Sequence, residues 1–375
     1  MVLLKINPVS LIKEAALSLN LGPVGVAGAA PPQGLETILK RRLEEGRCSP
    51  FEEQEILPRL HPELLLEGCR SILVLAMPYP SPREDSPVFA PPPRGRVARF
   101  ARGLDYHLLL QERAERLLEL LRREYPSLRA RILVDRNPLV ERRLARQAGL
   151  GWIGKNCNLI VPPYGSFVAL GTVLLNLPLE EDSPAAGECG PCRRCLEACP
   201  TGALEAPFIL NPYRCLSYIT QASGIVPRDY RPLMGNLLYG CDRCQEVCPH
   251  NREAAFPDPP YSFGFFPAET PLKPLLRMNK QEFKQTVGLT AAGWRGLATL
   301  QRNAVIALGN SGDREAVPIL ASLLHNDPRP GLKVHAAWAL GRLGGREARR
   351  SLEQSCRKET ETLLREELRL ALELA

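Results

Sequence analysis

The chain has 375 residues, 45% of them hydrophobic and 24% charged, an ordinary composition for a globular protein of two or three domains. No apolar run approaches the roughly 20 residues of a membrane span, and Lys13 and Glu14 interrupt the N-terminal stretch where an export signal needs an apolar core; both argue against membrane or export and for the cytoplasm, where twelve cysteines imply metal or redox work instead of a disulfide framework. The formal charge is +7, yet residues 90–155 alone hold 15 Lys and Arg against 7 Asp and Glu, a concentrated surplus suited to a polyanion or to the solvated face of a helix.

In chain order, "LIKEAALSL" is patterned as a helix, "VGVAGAA" as a strand, "SILVLAM" as a buried strand and residues 104–123 as an amphipathic helix. "RILVD" follows as a strand, "PLVERRLARQA" as a helix, and "NLIVPP" with "FVALGTVLLN" as a hairpin or adjacent strands. These predict an α/β or α+β sandwich over residues 1–177. The proline-dense stretch 79–95 is expected to be a long loop, a connector or lid. Residues 178–255 carry eight of the cysteines and little apolar periodicity, so metal is expected to replace a core there. After "FPDPP" the chain turns helical. "AVIALGNSG" (304–312) recurs as "AAWALGRLG" (336–344), a 32-residue period of HEAT type, and residues 256–375 are expected to be a helical domain.

The strongest chemical signal is "CGPCRRCLEACP": Cys189, Cys192, Cys195 and Cys199, followed by proline, at the spacing of a bacterial iron–sulphur segment. A second run, "CDRCQEVCP", supplies Cys241, Cys244 and Cys248, and Cys215 lies between them. Eight thiolates suffice for two 4Fe-4S clusters. In two-cluster ferredoxins the fourth cysteine of a run ligates the other cluster. That rule assigns Cys189, Cys192, Cys195 and Cys248 to one and Cys199, Cys215, Cys241 and Cys244 to the other. Zinc ribbons use paired C-x2-C with four ligands, a poorer match. Cys48, Cys69, Cys157 and Cys356 have no ligand spacing. Clusters pass single electrons and do not select a substrate, so an acceptor must lie elsewhere.

"AGLGWIGKN" (148–156) spells both G-x-G-x-x-G and most of a phosphate loop. It follows a helix where either motif needs a strand, and Asn156 replaces the magnesium-binding Ser or Thr, so no nucleotide site is expected. Its glycines are expected to end the helix and to let backbone approach a flat ligand.

The run "VDRNPLVERRLARQAGLGWIGKNCNLIVPPYGSFVALGTVLLN", the two cysteine runs, "WRG" (294–296) and the HEAT-type helices together resemble the epoxyqueuosine reductase family over nearly the whole chain. The resemblance implies an α+β fold with three parts: a cobalamin-binding domain similar to that of reductive dehalogenases, a ferredoxin-like domain with two 4Fe-4S clusters, and HEAT-like repeats. It implies reduction of the epoxide of a queuosine precursor at the tRNA wobble position, in a monomer fed by a low-potential electron donor. The charged segment and the repeats would hold the anticodon stem-loop, whose splayed bases are open to reading.

Asp135 matches the family's proton donor, and to donate it is expected to be kept neutral by burial, with Asn137 capping the next helix. Arg59, Leu159, Leu170, Ser217, Gly224, Ile225, Gly240 and Cys241 fall where family members touch cobalamin. Ser223 and Ala98 depart from a lysine and a cysteine found in some relatives. "DYHLLL" lacks the glycine of D-x-H-x-x-G, so His107 is expected to be structural or RNA-facing and not a cobalt ligand, in keeping with the family's base-off cobalamin. The rivals are small-molecule reduction on the same cofactors, as in dehalogenases, and an electron-transfer protein that docks a partner through its repeats.

Overall fold

The strand Ser71–Pro78 is buried along its whole length, which explains why its sequence is a continuous apolar run and does not alternate. It lies inside a four-stranded sheet ordered Val24–Gly28, Ser71–Pro78, Val168–Leu175, Ala130–Leu133. Every neighbouring pair is antiparallel, with Val24 opposite Leu75, Ser71 opposite Leu175 and Ile132 opposite Val173. The computed structural model describes residues 8–79, 93–255 and 266–375.

The helices Pro8–Ser18 and Tyr106–Glu124 cover one face of this sheet, where Ile12, Leu110, Leu117 and Leu121 pack with Leu73, Leu75 and Met77. The alternate residues Ile72, Val74 and Ala76 meet Leu144, Ala145 and Ala148 of the short helix Glu141–Gln147, together with Leu159 and Val161. Burial on both faces of a strand is what three stacked layers require. The expected pairing of "NLIVPP" with the next strand does not form. Leu159–Ile160 pairs instead with Trp152–Ile153, because Val168–Leu175 is taken up on both edges by sheet partners.

The chain divides into two compact units. One comprises Met1–Ser81, Asp105–Tyr213 and Arg243–Tyr261; the other comprises Pro82–Leu104, Arg214–Asp242 and Ser262–Ala375. The first contains the sheet above and six of the eight candidate ligand cysteines; Cys215 and Cys241 belong to the second. Most of the expected loop 79–95, and "FPDPP", lie outside the described residues; Arg94–Val97 is a strand.

In the second unit Arg94–Val97 pairs in parallel with Leu237–Tyr239 and antiparallel with Glu269–Pro271. After the short helices Leu272–Arg277 and Lys280–Gln285 come five longer ones: Gly296–Ser311, Val317–Asn326, Pro330–Leu343, Arg346–Cys356 and Thr362–Leu372. The 32-residue repeat has a packing cause. A Cβ on Gly309 would lie 2.8 Å from the Ala339 Cα, and one on Gly341 would lie 2.6 Å from the Ala371 carbonyl oxygen. Each glycine marks where one helix backbone rests on the next helix but one.

Candidate active site and cluster site

Asp135 stands two residues beyond its strand, which ends at Leu133, and takes the left-handed conformation (φ 54°) that favours glycine. The following helix begins only at Glu141. Asn137 is not its cap: the Asn137 Oδ1 accepts from the Leu139 N–H at 2.9 Å, a local turn that delays the helix. The Glu141 carboxyl closes the loop by accepting from the Asp135 N–H at 3.2 Å and from Asn137 Nδ2 at 3.0 Å.

Two groups bracket the Asp135 carboxylate. The Tyr106 hydroxyl donates to Oδ2, and His107 Nε2 lies 3.2 Å from the same oxygen. The other ring nitrogen, Nδ1, is 2.5 Å from Asp105 Oδ1. Both aromatic residues belong to the first turn of their helix, whose N-cap is Asp105. The expectation that burial keeps Asp135 neutral is not met. Burial does push its carboxyl up, but the hydrogen bonds of His107 and Tyr106 and the charges of His107 and Arg142 outweigh it and hold the group below its ordinary value. Burial opposes the charge on His107 too, yet Asp105 and Asp135 raise its pKa to about 9. The buried carboxyl that is raised is Glu141, pushed up to about 8 by burial and by the neighbouring Asp135 charge. His107 is therefore a partner of the candidate acid.

Tyr106, Asp135, Asn137 and Glu141 line a cleft of about 460 Å³ shared with Arg59, Tyr79 and Leu170. Arg59 is 8% exposed; it donates to the Glu53 carbonyl at 3.0 Å and faces Glu52 at 3.6 Å. Its Nε is buried without a hydrogen-bond partner. Leu170 is half-buried at the edge of the core, whereas the Leu159 side chain is buried within it.

The cysteine runs form two single-turn helices, Arg194–Glu197 and Arg243–Glu246. Cys189, Cys192, Cys195 and Cys248 line one small cavity of about 30 Å³, with Lys155 and His250 beside them. Among the described residues no three such side chains converge on a point as ligands of one ion would; a cubane offers a separate iron to each thiolate. Burial raises the Cys195 and Cys248 thiols. At Cys199 burial is overcome by backbone N–H groups of Leu204, Ala203 and Thr201 and by the Thr201 hydroxyl, which lower its pKa.

The glycine-rich segment serves this architecture. Gly149 (φ 74°) ends its helix, with its own N–H bonded to the Arg146 carbonyl and that of Leu150 to Ala145, a Schellman ending. A Cβ on Gly151 would lie 1.9 Å from the Ile160 carbonyl oxygen, so the close approach is to protein backbone and not to a flat ligand. Lys155 donates to the carbonyls of Gly190 and, at 3.0 Å, of Cys192, which ties down the first cysteine loop.

In the second unit Cys215 caps the helix Leu216–Gln221, and the Ser217 carbonyl and hydroxyl accept from Gln221 Nε2. Gly240 (φ 69°) donates its N–H to Thr220 Oγ1, and its α-carbon faces Ala98 and Phe100 so closely that a Cβ would lie 2.5 Å from that of Ala98. The turn holding Gly224 and Ile225 is fixed from beneath by residues that sequence reading missed. Arg302 donates to the carbonyls of Ala222, Gly224, Ile219 and Thr220. Asn303 donates to those of Thr220 and Leu238, each at 2.7 Å. His335 Nε2 accepts from the Val226 N–H at 3.1 Å, and burial with the charges of Arg231 and Arg302 keeps it neutral, well below its ordinary pKa. The signal was present as "QRN" inside an otherwise apolar helix.

Comparison with known proteins agrees with this layout. Residues 188–251 match the 4Fe-4S double cluster binding domain, residues 59–136 the family "Epoxyqueuosine reductase QueG, DUF1730", and residues 298–373 HEAT repeats. The chain is 38% identical to the epoxyqueuosine reductase of Bacillus subtilis over 369 residues, 96% of this chain and 94% of the relative, and 36% identical to that of Bacillus anthracis over 365 residues, 95% and 94%. It superposes on a crystal structure of epoxyqueuosine reductase with an epoxyqueuosine-modified tRNA-Tyr stem loop at a TM-score of 0.93, with 38% identity and 98% of both chains covered. Likeness to a catabolic reductive dehalogenase, at 18% identity and a TM-score of 0.38, is too loose to carry function across. With more than a third of its residues identical over nearly its full length, the chain belongs to the epoxyqueuosine reductase family.

Proposed function

We propose that this chain reduces epoxyqueuosine to queuosine at the wobble position of tRNA, with cobalamin as the reducing cofactor and two 4Fe-4S clusters as its electron supply. The observation that carries this reading is Tyr106 and Asp135 hydrogen-bonded in one cleft, with His107 Nε2 3.2 Å from the Asp135 carboxylate. It belongs to a chain superposable over 98% of its length on a relative solved with the modified stem loop. The net reaction consumes two electrons and two protons and releases water. Protonation of the leaving oxygen is the step that needs a positioned acid.

The first cluster would be held by Cys189, Cys192, Cys195 and Cys248, which line one cavity. The spacing of the runs assigns Cys199, Cys215, Cys241 and Cys244 to the second. The orphan Nε of Arg59 on the cleft wall suits a large ligand that brings an acceptor, as the amide-rich rim of cobalamin would. Leu170 on the same wall, the Leu159 backbone, and Ser217, Gly224, Ile225, Gly240 and Cys241 are the further contacts the family resemblance assigns. Bound cobalamin would supply the low-potential reduction at the epoxide carbon; the protein supplies position and protons.

Asp135 is the group that delivers the proton. It shares an oxygen with the Tyr106 hydroxyl and sits beside a protonated His107, so a proton given up to substrate is replaced within hydrogen-bond reach. The three-part layout 1–177, 178–255 and 256–375 is the functional division: cofactor and substrate, electron relay, and a helical part whose buried Arg302 shapes the turn around Gly224. The direct test is nucleoside mass spectrometry of epoxyqueuosine-tRNA after incubation with the reconstituted protein and a chemical reductant. Queuosine should appear only when cobalamin and iron are both present; its absence from the fully loaded protein overturns the reading.

A further inference from the structure

A second cleft, of about 480 Å³, adjoins the first and shares Arg42, Val140, Arg142 and Leu210 with it. Its walls combine Arg41 from the helix Leu35–Glu44, Arg143 and Arg146 from the helix Glu141–Gln147, the aromatic rings of Trp152 and Phe208, and Cys189. The guanidinium groups of these three arginines have no hydrogen-bond or ion-pair partner among the described residues, whereas Arg42 and Arg47 beside them are paired with Glu52 and with Glu45 and Glu205. Arg143 is partly buried, and burial together with the like charges of Arg146 and Arg142 lowers its pKa. Of the two acids in the cleft, Glu45 is paired with Arg47; Glu188 remains. Phe208 is 56% exposed in a left-handed conformation (φ 66°), an apolar ring held outward at the rim.

Like charges gathered in a concave apolar surface are costly until an anion arrives. Two anions are conceivable, an RNA backbone and an acidic protein. The position of Cys189 decides between them. It is a proposed ligand of the first cluster, so whatever fills the cleft rests against a residue bonded to iron. RNA gains nothing from that position, while a one-electron donor must be close to a cluster. We propose that this cleft is the docking surface for an acidic, low-potential electron-transfer protein that reduces the Cys189 cluster. The inference rests on the cluster assignment made above. In each encounter one electron leaves the donor, for instance a flavodoxin hydroquinone that becomes semiquinone and loses a proton, and the cluster gains it. Two encounters supply one turnover. Redox encounters of this kind are small and steered by charge, which three unpaired arginines and an exposed ring are suited to provide.

The test uses the holoprotein and a flavodoxin as probe. The triple variant R41Q/R143Q/R146Q should weaken flavodoxin binding, read by NMR titration of labelled flavodoxin, on the order of tenfold or more at low salt. It should slow anaerobic reduction of the cluster by flavodoxin hydroquinone to match. Cluster reduction by dithionite and iron content should stay within about twofold of wild type. The single variant Glu188→Gln, which removes the opposing charge, should tighten flavodoxin binding. Flavodoxin affinity unchanged in the triple variant overturns the proposal, and so does a wild-type protein that fails to bind flavodoxin. A fall in stem-loop affinity with flavodoxin binding intact assigns the cleft to RNA. Failure of dithionite to reduce a cluster in wild type would instead fault the cluster assignment, which separates the two readings.

Discussion

Replacing Asp135 with Asn keeps the shape of the side chain and removes its charge, and the structure specifies a consequence beyond the loss of rate. His107 reaches about 9 against the pull of burial because two carboxylates bond its ring. The rise from an ordinary 6.5 to about 9 is worth a few kcal/mol. The Asp105 contact is the shorter, 2.5 Å against 3.2 Å, so Asp135 holds the smaller share. Its loss should lower the His107 pKa, read from the imidazole resonances in an NMR titration of the variant. Single-turnover reduction should fall on the order of 10²–10⁴-fold with cofactor occupancy unchanged. The same coupling predicts a stability difference with a defined pH window. The pKa of His107 is raised on folding, so its contribution is complete below the unfolded value of 6.5 and is lost as pH rises through about 9. The stability gap between wild type and variant should therefore narrow over that interval. A His107 midpoint that does not move, or near-wild-type turnover, refutes the reasoning.

Arg302→Met should cost about 3–5 kcal/mol in denaturant unfolding, because it strips several buried carbonyls of their donor; amide exchange should rise first across residues 219–226, and uniform exchange would count against a local clamp. Cys248→Ala should abolish the cluster of Cys189, Cys192 and Cys195 while leaving the other paramagnetic signal; loss confined to the other cluster overturns the crossed assignment. Stem-loop affinity should fall with salt, each phosphate contact contributing roughly 0.7–0.9 to the log–log slope, and an affinity indifferent to salt removes the electrostatic account of the basic segment.

What the sequence made legible depended on how local the cause was. Ligand spacing is a property of a few consecutive residues, and Cys248 lines one cavity with Cys189, Cys192 and Cys195. The buried strand Ser71–Pro78 and the helix Tyr106–Glu124 were likewise written in hydrophobic period. The pairing of Leu159–Ile160 was not, because which strand takes which edge is decided by competition between distant segments. Nor was the protonation of Asp135, which depends on two side chains 28 and 29 residues away in sequence. Lys155 looked like half of a phosphate loop, and its true partners, two carbonyls of a cysteine loop, lie 35 and 37 residues onward.

Two carboxyls in contact with one loop have diverged in charge, and that divergence sorts their roles. Glu141 is buried and raised to about 8, so near neutrality it is largely protonated, yet its Oε1 faces a backbone N–H and the Asn137 amide. Those contacts fix the conformation that Asp135 must adopt at φ 54°. Asp135, half exposed to the cleft and ionised, has the opposite profile. A substrate that closes the cleft removes water from this carboxylate, which raises its affinity for a proton. His107 and Tyr106 are already within reach to provide one. An acid charged in the open cleft and protonated in the closed one would spend its proton only when an epoxide oxygen is there to receive it. On this account burial prepares Asp135 at the moment of substrate binding, and Glu141 keeps the loop that presents it.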